Sequence, residues 1–211
     1  MPTTEKPNSM PDTERGYALH YLSHLSERLS QIDPDEVADL IRELESARTE
    51  GSTVFLAGNG GSAATASHMA NDFGIGLHSA GLTAIRAVAL TDNVPVMTAI
   101  SNDVRYRNVF EDQLKVLYQT GDRLLAISAS GNSSNLIAAA EWVKSKGGRV
   151  IGLVGFDGGA LKGLCDVAVH VRTPGGEYGP VEDAHMVLNH LVVTWFQGRN
   201  PRLGSTTETE I

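Results

Sequence analysis

The apolar residues of this chain fall into two kinds of run that alternate along it. Short, nearly continuous runs, such as Leu124-Leu125-Ala126-Ile127, are typical of strands that are buried on both faces. Longer segments between them place apolar residues every three or four positions, which is the period of a helix. The predicted strands are residues 53–56, 85–90, 123–128, 149–154 and 167–171. Strands that alternate with helices in this way indicate the α/β class with a parallel sheet.

Helices are predicted between the strands, and two more precede the first strand. Residues 13–29 and 37–44 carry the helical period, and we expect Asp33 to cap the second helix, with Pro34 at its first position. We favour a contact with another subunit for these two helices. The other predictions are helices over 63–73, 104–118, 132–146 and 180–197, with a short turn near 158–163. This order predicts a flavodoxin-like three-layer α/β/α fold with N-terminal helices and a doubly wound, five-stranded parallel sheet.

Composition narrows the classes of function. The chain has 211 residues, 41% of them hydrophobic, which suits one well-buried domain, expected over residues 13–198 between disordered tails at 1–12 and 199–211. The net charge of −8 argues against nucleic acid or a membrane as a partner, since both attract basic surfaces. Cys165 is the only cysteine, which excludes a zinc site built from cysteines. Without a signal-peptide pattern or an apolar run of membrane-spanning length, the expected location is the cytoplasm.

The loop after the first predicted strand has the features of an anion site. Gly58-Asn59-Gly60-Gly61-Ser62 follows apolar residues directly and precedes a predicted helix. Glycines allow a tight turn, and the helix presents free N–H groups at its positive end, where a phosphate binds well. The loop lacks the Gly-Lys-Ser/Thr ending of a Walker A motif and the Gly-x-Gly-x-x-Gly spacing of a dinucleotide site. A purely structural turn is the alternative.

The loop after the third predicted strand repeats this arrangement with serines. Ser128, Ser130 and Ser133 precede or begin a predicted helix, and their hydroxyls add donors to its first N–H groups. An ordinary serine cap is the alternative for this loop alone. Because ligands gather at the carboxyl ends of parallel strands, two such loops predict one shared phosphate site that uses no lysine or arginine.

Two pairs of side chains at helical spacing form a candidate metal or catalytic group. His68 and Asp72 are four residues apart on one predicted helix, and Glu182 and His190 are eight apart on the last one. Two imidazoles and two carboxylates suit Zn²⁺ or another divalent first-row metal, if the two helices pack together. Solvated or capping side chains are the more common explanation of such pairs.

Five motifs in order resemble the sugar isomerase (SIS) domain and, within it, the phosphoheptose isomerases. They are Gly58-Asn59-Gly60-Gly61-Ser62, Ser67-His68-Met69-Ala70, Thr98-Ala99-Ile100-Ser101-Asn102-Asp103, Ile127-Ser128-Ala129-Ser130-Gly131-Asn132-Ser133 and Gly155-Phe156-Asp157-Gly158-Gly159. A histidine-rich last helix follows them, and the resemblance extends from the N-terminal helices to about Gln197.

The resemblance implies which residues bind a sugar phosphate. The expected substrate contacts are Asn59, Gly60, Gly61, Ser62, Asn102, Asp103, Ser128, Ala129, Ser130 and Ser133. The family usually carries Thr where this chain has Ala129, so one hydroxyl is absent while the backbone donor remains. Family members close the site with residues of a neighbouring subunit, so the resemblance also implies a homotetramer with sites at subunit interfaces.

The resemblance also implies a metal and a reaction. His68, Asp72, Glu182 and His190 match the family's zinc ligands, although the family has Glu at the position of Asp72 and Gln at that of Glu182. The implied reaction is an aldose–ketose isomerisation of sedoheptulose 7-phosphate, or a close ketose phosphate, through an enediol(ate). We assign the base to Asp72, with Glu182 as its substitute, and the acid or a metal ligand to His190. Asp183 is placed to orient His190, and His185 is an alternative partner unless it packs at the helix interface.

A phosphosugar-binding SIS protein without catalysis is the alternative function. Relatives of that kind lose the catalytic glutamate and act as protein-binding tetramers, such as the replication initiator-associating factor, and Leu90-Thr91-Asp92-Asn93-Val94 resembles them. Asp72 and His190 favour the isomerase, because the binding subgroup tends to lack a carboxylate at the first position. The missing glycine fingerprint disfavours a nucleotide cofactor.

Overall fold

The computed structural model describes residues 11–199, and its centre is a parallel sheet of five strands in the order β2-β1-β3-β4-β5. The strands are β1 Thr53–Gly58, β2 Arg86–Ala89, β3 Arg123–Ser128, β4 Arg149–Phe156 and β5 Val167–Arg172. The helices are α1 Glu14–Ser30, α2 Pro34–Glu50, α3 Gly61–Asn71, α4 Leu77–Ser79, α5 Val94–Asp103, α6 Glu111–Leu117, α7 Ser134–Ser145, α8 Gly159–Lys162 and α9 Tyr178–Gly198. Apart from residues 11, 12 and 199, the predicted tails lie outside the described residues.

Helices cover both faces of the sheet, which confirms the predicted fold class. Leu125 and Ile127 of β3 pack into the layer formed by α2, α3 and α9, whereas Leu124 and Ala126 pack into the layer of α6 and α7. Successive strand residues point to opposite faces, so a strand with two covered faces needs an unbroken apolar run. β3 is buried at every position and matches its predicted bounds.

The helix predicted over residues 104–118 is wrong. The structure has only a 3₁₀ turn, Tyr106–Asn108, and the short α6 in that stretch. Its apolar residues do not share one face, because Val104 and Val116 are exposed while Phe110 and Leu114 are buried. The spacing of the apolar residues therefore predicted one long helix, although these residues do not all face the core. The chain forms a 3₁₀ turn and a separate short helix instead.

The same prediction missed α5, which begins earlier. The side-chain oxygen of Asn93 accepts a hydrogen bond from the backbone N–H of Val96 at 3.2 Å, and Pro95 lies in the first turn. Asparagine caps and early prolines favour a helix start. The segment 98–103 is therefore helical, and this changes where Asn102 and Asp103 lie.

The predicted cap of the second N-terminal helix is confirmed. Asp33 caps α2 by accepting from the N–H of Asp35 at 2.9 Å, with Pro34 at the first helical position, as predicted. α1 packs on α9 and buries none of its own residues fully. Within residues 11–199, no helix combines the length and the apolar character needed to cross a bilayer.

His185 is completely buried on α9, which confirms the interpretation of a histidine packed at the helix interface. Burial lowers its pKa from 6.5 to about 4, because the imidazolium would lose its hydration. Between these values the unfolded chain binds a proton that the folded chain does not. We therefore expect the titration of His185 to lower the free energy of unfolding by about 3 kcal/mol as the pH falls from 7 to 4.

Urea unfolding of the wild type and His185→Leu at pH 7 and pH 4.5 measures this effect. The variant should lose much less stability over that interval, because it has no imidazole to protonate in the unfolded chain. His78→Gln is the matched control, since His78 is exposed and its replacement should leave the wild-type pH dependence intact. Equal losses in the wild type and His185→Leu would contradict the assignment.

Candidate active site

The first loop is the predicted turn from strand to helix. β1 ends at Gly58, Gly60 has a φ of 55°, and α3 begins at Gly61. A Cβ on Gly58 would lie 2.4 Å from the carbonyl oxygen of Ser62, so only glycine fits there. The turn thereby brings the first backbone N–H groups of α3 to the carboxyl edge of the sheet.

The second loop is shaped by its own serines. Ser128 Oγ accepts from the N–H of Gly131 at 3.1 Å, and Ser130 Oγ accepts from the N–H of Asn132 at 3.2 Å. Both hydroxyls use a lone pair in these bonds, so their O–H groups remain available as donors. Ser133 occupies the N-cap position of α7. The loop therefore presents hydroxyl and backbone donors together, as an anion site requires.

The turn after β4 holds this second loop from one side. The N–H of Leu161 donates to the carbonyl oxygen of Gly131 at 2.9 Å, and the N–H of Ala160 donates to Asn132 Oδ1 at 3.1 Å. Gly131 approaches Gly158 so closely that a Cβ on Gly131 would lie 2.0 Å from the carbonyl oxygen of Gly158. The two turns are thus packed backbone against backbone.

The two loops share one small cavity of about 140 Å³. β1 and β3 are neighbours in the sheet, which places the ends of both strands side by side. The lining residues are Asn59, Ser62, Ile127, Ser128, Ala129, Ser130, Ser133, Tyr178 and Glu182. None of these is Lys or Arg, so an anion here would depend on amides, hydroxyls and the helix ends.

Four predicted substrate contacts are not part of this lining. Gly60 and Gly61 belong to the first loop but are not among the residues that line the cavity. Asn102 and Asp103 lie at the end of α5, where both are exposed and Asn102 Nδ2 donates to Asp103 Oδ1 at 2.8 Å. Their position follows from the unpredicted helix α5.

Side chains that sequence reasoning missed hold and border the cavity. Asn59 and Asn135 exchange two amide hydrogen bonds of 3.0 and 2.8 Å, and Tyr106 Oη donates to Asn59 Oδ1 at 2.7 Å. Tyr178 lines the cavity and packs edge to face on Phe156, whose φ of 48° is unusual for a residue other than glycine. A polar residue on the first turn of α7, two positions after Ser133, was the available signal for Asn135.

Glu182 lies in this cavity and not with the other predicted metal ligands. A Cβ on Gly61 would lie 2.2 Å from Glu182 Oε2 and 2.6 Å from Oε1, so the carboxylate packs directly against the first residue of α3. The group of side chains able to hold a metal contains only the other three residues. Glu182 as a fourth ligand therefore stays a prediction, since its carboxylate lies apart from the three residues that come together here.

His68, Asp72 and His190 do come together between α3 and α9. His68 Nε2 lies 3.1 Å from Asp72 Oδ2 and 3.3 Å from His190 Nε2, and the ligand atoms of all three lie within 4.8 Å of one another. Both histidines are exposed and Asp72 is half-buried. Two imidazoles with one carboxylate and an open side form the kind of set that binds catalytic Zn²⁺, so the residues fit that ion.

Asp72 opens a π-helical turn, Asp72–Gly76, that continues α3 beyond its predicted end. Asn189 Nδ2 donates to Asp72 Oδ2 at 2.7 Å, and Asn71 Nδ2 donates to Oδ1 at 3.2 Å. Such turns occur frequently at functional sites because they redirect a side chain. Of the two amide contacts, the one from Asn189 is short and part-buried, whereas the one from Asn71 is longer and exposed.

Asp183 does not orient His190 as predicted. Its Oδ2 accepts a hydrogen bond from Tyr21 Oη at 2.6 Å, which ties α9 to α1. This bond, together with burial and the carboxylate charge, raises the pKa of Tyr21 to about 12. The partner of His190 is His68 instead, because Asp183 points toward α1 and His190 toward α3.

Comparisons with known proteins agree with this architecture. A family model described as the SIS domain matches residues 19–155. The chain is 35% identical over 168 residues to a phosphoheptose isomerase from Pelobacter propionicus, covering 80% of this chain and 87% of the relative. It is 35% identical over 177 residues to one from Aneurinibacillus thermoaerophilus, with coverages of 82% and 88%.

Solved structures give the same result. The structure of a phosphoheptose isomerase from Neisseria gonorrhoeae superimposes with a TM-score of 0.77 at 28% identity, covering 88% of this chain and 98% of the other. One from Francisella tularensis gives 0.76 at 25% identity, covering 89% and 100%. The motif resemblance is confirmed, and the chain belongs to the SIS domain family and, within it, to the phosphoheptose isomerases.

Proposed function

We propose that this protein interconverts a ketose phosphate, sedoheptulose 7-phosphate or a close relative, with its aldose isomer. The observation that carries the proposal is that α3 and α9 each serve both parts of the site. His68, Asp72 and His190 are here called the histidine group. α3 supplies Ser62 to the cavity and His68 to this group, while α9 supplies Glu182 to the cavity and His190 to the group. Six and eight residues along a helix are roughly 9 and 12 Å, a distance that an extended sugar phosphate can span.

Each end of the site has a chemical task in this proposal. The second loop, residues 128–133 and here called the serine loop, holds the phosphate with N–H and O–H donors, which fixes the sugar chain in one direction. Asp72 removes the proton beside the carbonyl group, and His190 gives a proton to the carbonyl oxygen as the enediol forms. Asp72 then returns its proton to the neighbouring carbon, and His190 takes the proton from the other enediol hydroxyl, whose oxygen becomes the new carbonyl.

The histidine group also suits a metal-assisted form of this reaction. His68, Asp72 and His190 would hold a Zn²⁺ ion, which when bound supplies Lewis-acid stabilisation of negative charge on the substrate oxygens. Without the ion, the N–H groups of the two imidazoles are the nearest donors for that charge. Whether the reaction requires Zn²⁺ is thus a separate question from whether the protein catalyses it, and activity with and without the ion answers it.

Incubation of the full-length protein with sedoheptulose 7-phosphate in D₂O tests the proposal. The reaction is run with and without added Zn²⁺ and monitored by NMR. We expect a proton at C1 to exchange with solvent deuterium and an aldose phosphate to appear. Exchange without a new sugar would indicate a different substrate. Binding without any exchange would contradict the isomerase and favour a phosphosugar-binding SIS protein.

The surface near the histidine group supports the proposal of a homotetramer with sites at subunit interfaces. Val187, Leu191 and Trp195 form an exposed apolar stripe on α9 to one side of His190, and α1 exposes Leu19 and Leu22. Contiguous apolar surface of this kind is typical of subunit contacts, and a covered site would exclude water from the enediol. Sedimentation velocity measures the assembly.

A cytoplasmic location stays a prediction.

Glu182 is expected to weaken phosphate binding, because its carboxylate shares the small cavity with the serine loop. Replacing it with Gln removes the like charge and keeps the size of the side chain. We expect Glu182→Gln to bind inorganic phosphate on the order of tenfold more tightly at low salt, with a smaller gain at high salt. Calorimetric titration measures both. Asp157→Asn, which changes a carboxylate outside the cavity lining, is the control, and an unchanged affinity in Glu182→Gln would contradict the expectation.

A further inference from the structure

We propose that Asn189 is a positioning residue that fixes the carboxylate of Asp72 for proton transfer. This inference rests on the proposed isomerase function. Asn189 is completely buried on α9, and its Nδ2 donates to Asp72 Oδ2 at 2.7 Å, the shorter of the two amide contacts to that carboxylate. It is not among the residues that line the cavity, so we expect it to act through Asp72.

The carboxylate needs such a partner because of where its backbone lies. Asp72 begins the π-helical turn after α3, and its side chain is only one methylene long. His68 Nε2 lies 3.1 Å from the same oxygen that Asn189 contacts. His68 and Asn189, which lie on two different helices, therefore both contact Oδ2, and this restrains the carboxylate between α3 and α9. The spacing between α3 and α9 then sets the position of the base.

The burial of Asn189 points to function more than to stability. Its Oδ1 is buried without a hydrogen-bond partner among the described residues. An amide oxygen that loses water and gains no partner destabilises a fold, so an apolar side chain would suit this position better. Its neighbours on the same face of α9, Leu188 and Val192, are apolar and buried. The side chain with the stability penalty is the one that contacts Asp72.

Asn189→Leu tests the proposal, because leucine has nearly the same size and no donor. We expect the kcat for sedoheptulose 7-phosphate to fall by roughly 10- to 100-fold with little change in KM, since the cavity is untouched. The thermal midpoint should stay the same or rise, as the unpaired oxygen is gone. A crystal structure of the variant should show the Asp72 carboxylate turned away from His68. Asn71→Ala, which removes the longer and exposed amide contact, is the matched control and should lose little activity.

Two results would overturn the proposal. One is a kcat in Asn189→Leu equal to that of the wild type. The other is a loss of activity accompanied by a lower thermal midpoint while the crystal structure shows Asp72 unmoved, which would assign Asn189 a structural role. If the wild type does not isomerise any ketose phosphate, the proposed function fails separately. The position of Asp72 and the Zn²⁺ affinity by calorimetry, expected to be 10- to 100-fold weaker in the variant, then decide the role of Asn189.

Discussion

His190→Ala should lower the kcat of isomerisation by about 1,000-fold while the sugar phosphate still binds. The imidazole is exposed, lies 3.3 Å from His68, and is the group we assign to protonate the carbonyl oxygen. On α9, Glu182 lines the cavity beside the serine loop and lies about two helical turns from His190. The phosphate therefore keeps all its donors in this variant. The loss should therefore be in kcat, and calorimetric binding of sedoheptulose 7-phosphate should remain within a few-fold of the wild type.

Comparison with another histidine makes this result specific. His20 is exposed on α1 and has no part in the group with His68 and Asp72, so His20→Ala should keep the wild-type rate. Proton exchange at C1 should be lost together with net turnover in His190→Ala, because the enediol cannot form without the acid. Undiminished turnover in this variant would remove His190 from the mechanism.

The parts of the fold that the sequence predicted well are those whose signal is local. β3 is buried on both faces, so its apolar run had no polar interruption and its bounds could be read directly. Asp33 and Pro34 marked the start of α2 in the same way. The helix predicted over residues 104–118 failed because Val109, Phe110 and Leu114 reach the core while Val104 and Val116 are exposed. Burial of a short segment depends on what packs against it, which periodicity does not record.

In the candidate site, too, the features with a local sequence signal were predicted and the contacts between helices were not. The two loops could be placed in one cavity from sequence, because glycines and serines directly after parallel strands have a known position at the sheet edge. The direction of the Glu182 side chain could not be predicted from sequence. Helical spacing gives the angle of a residue around α9 but not the neighbour that its side chain contacts. Asp183 and Asn189 show the same limit, as one contacts α1 and the other Asp72. Contacts between helices are decided by packing, and the sequence pattern states only which faces are available.

Gly131→Ala is expected to damage both stability and phosphate binding. A Cβ at this position would lie 2.0 Å from the carbonyl oxygen of Gly158, which is backbone and cannot rotate away. The left-handed φ of 63° adds strain for any residue with a Cβ. We expect a loss of about 3–4 kcal/mol in the free energy of unfolding, from strain together with overpacking. The serine loop must move off the turn that holds it, so affinity for inorganic phosphate should fall by at least about tenfold, a change of about 1.4 kcal/mol.

Gly147, just beyond the other end of α7, provides a matched control. It follows the end of α7 as Gly131 precedes its start, its φ is 72°, and no atom lies within 4 Å of the position of an added Cβ. Gly147→Ala therefore carries the same backbone strain, about 1–2 kcal/mol, without the collision. Urea unfolding and phosphate titration of both variants separate the two effects. If Gly147→Ala lost as much stability as Gly131→Ala, or if Gly131→Ala bound phosphate normally, the close packing of the two turns would not be what shapes the anion site.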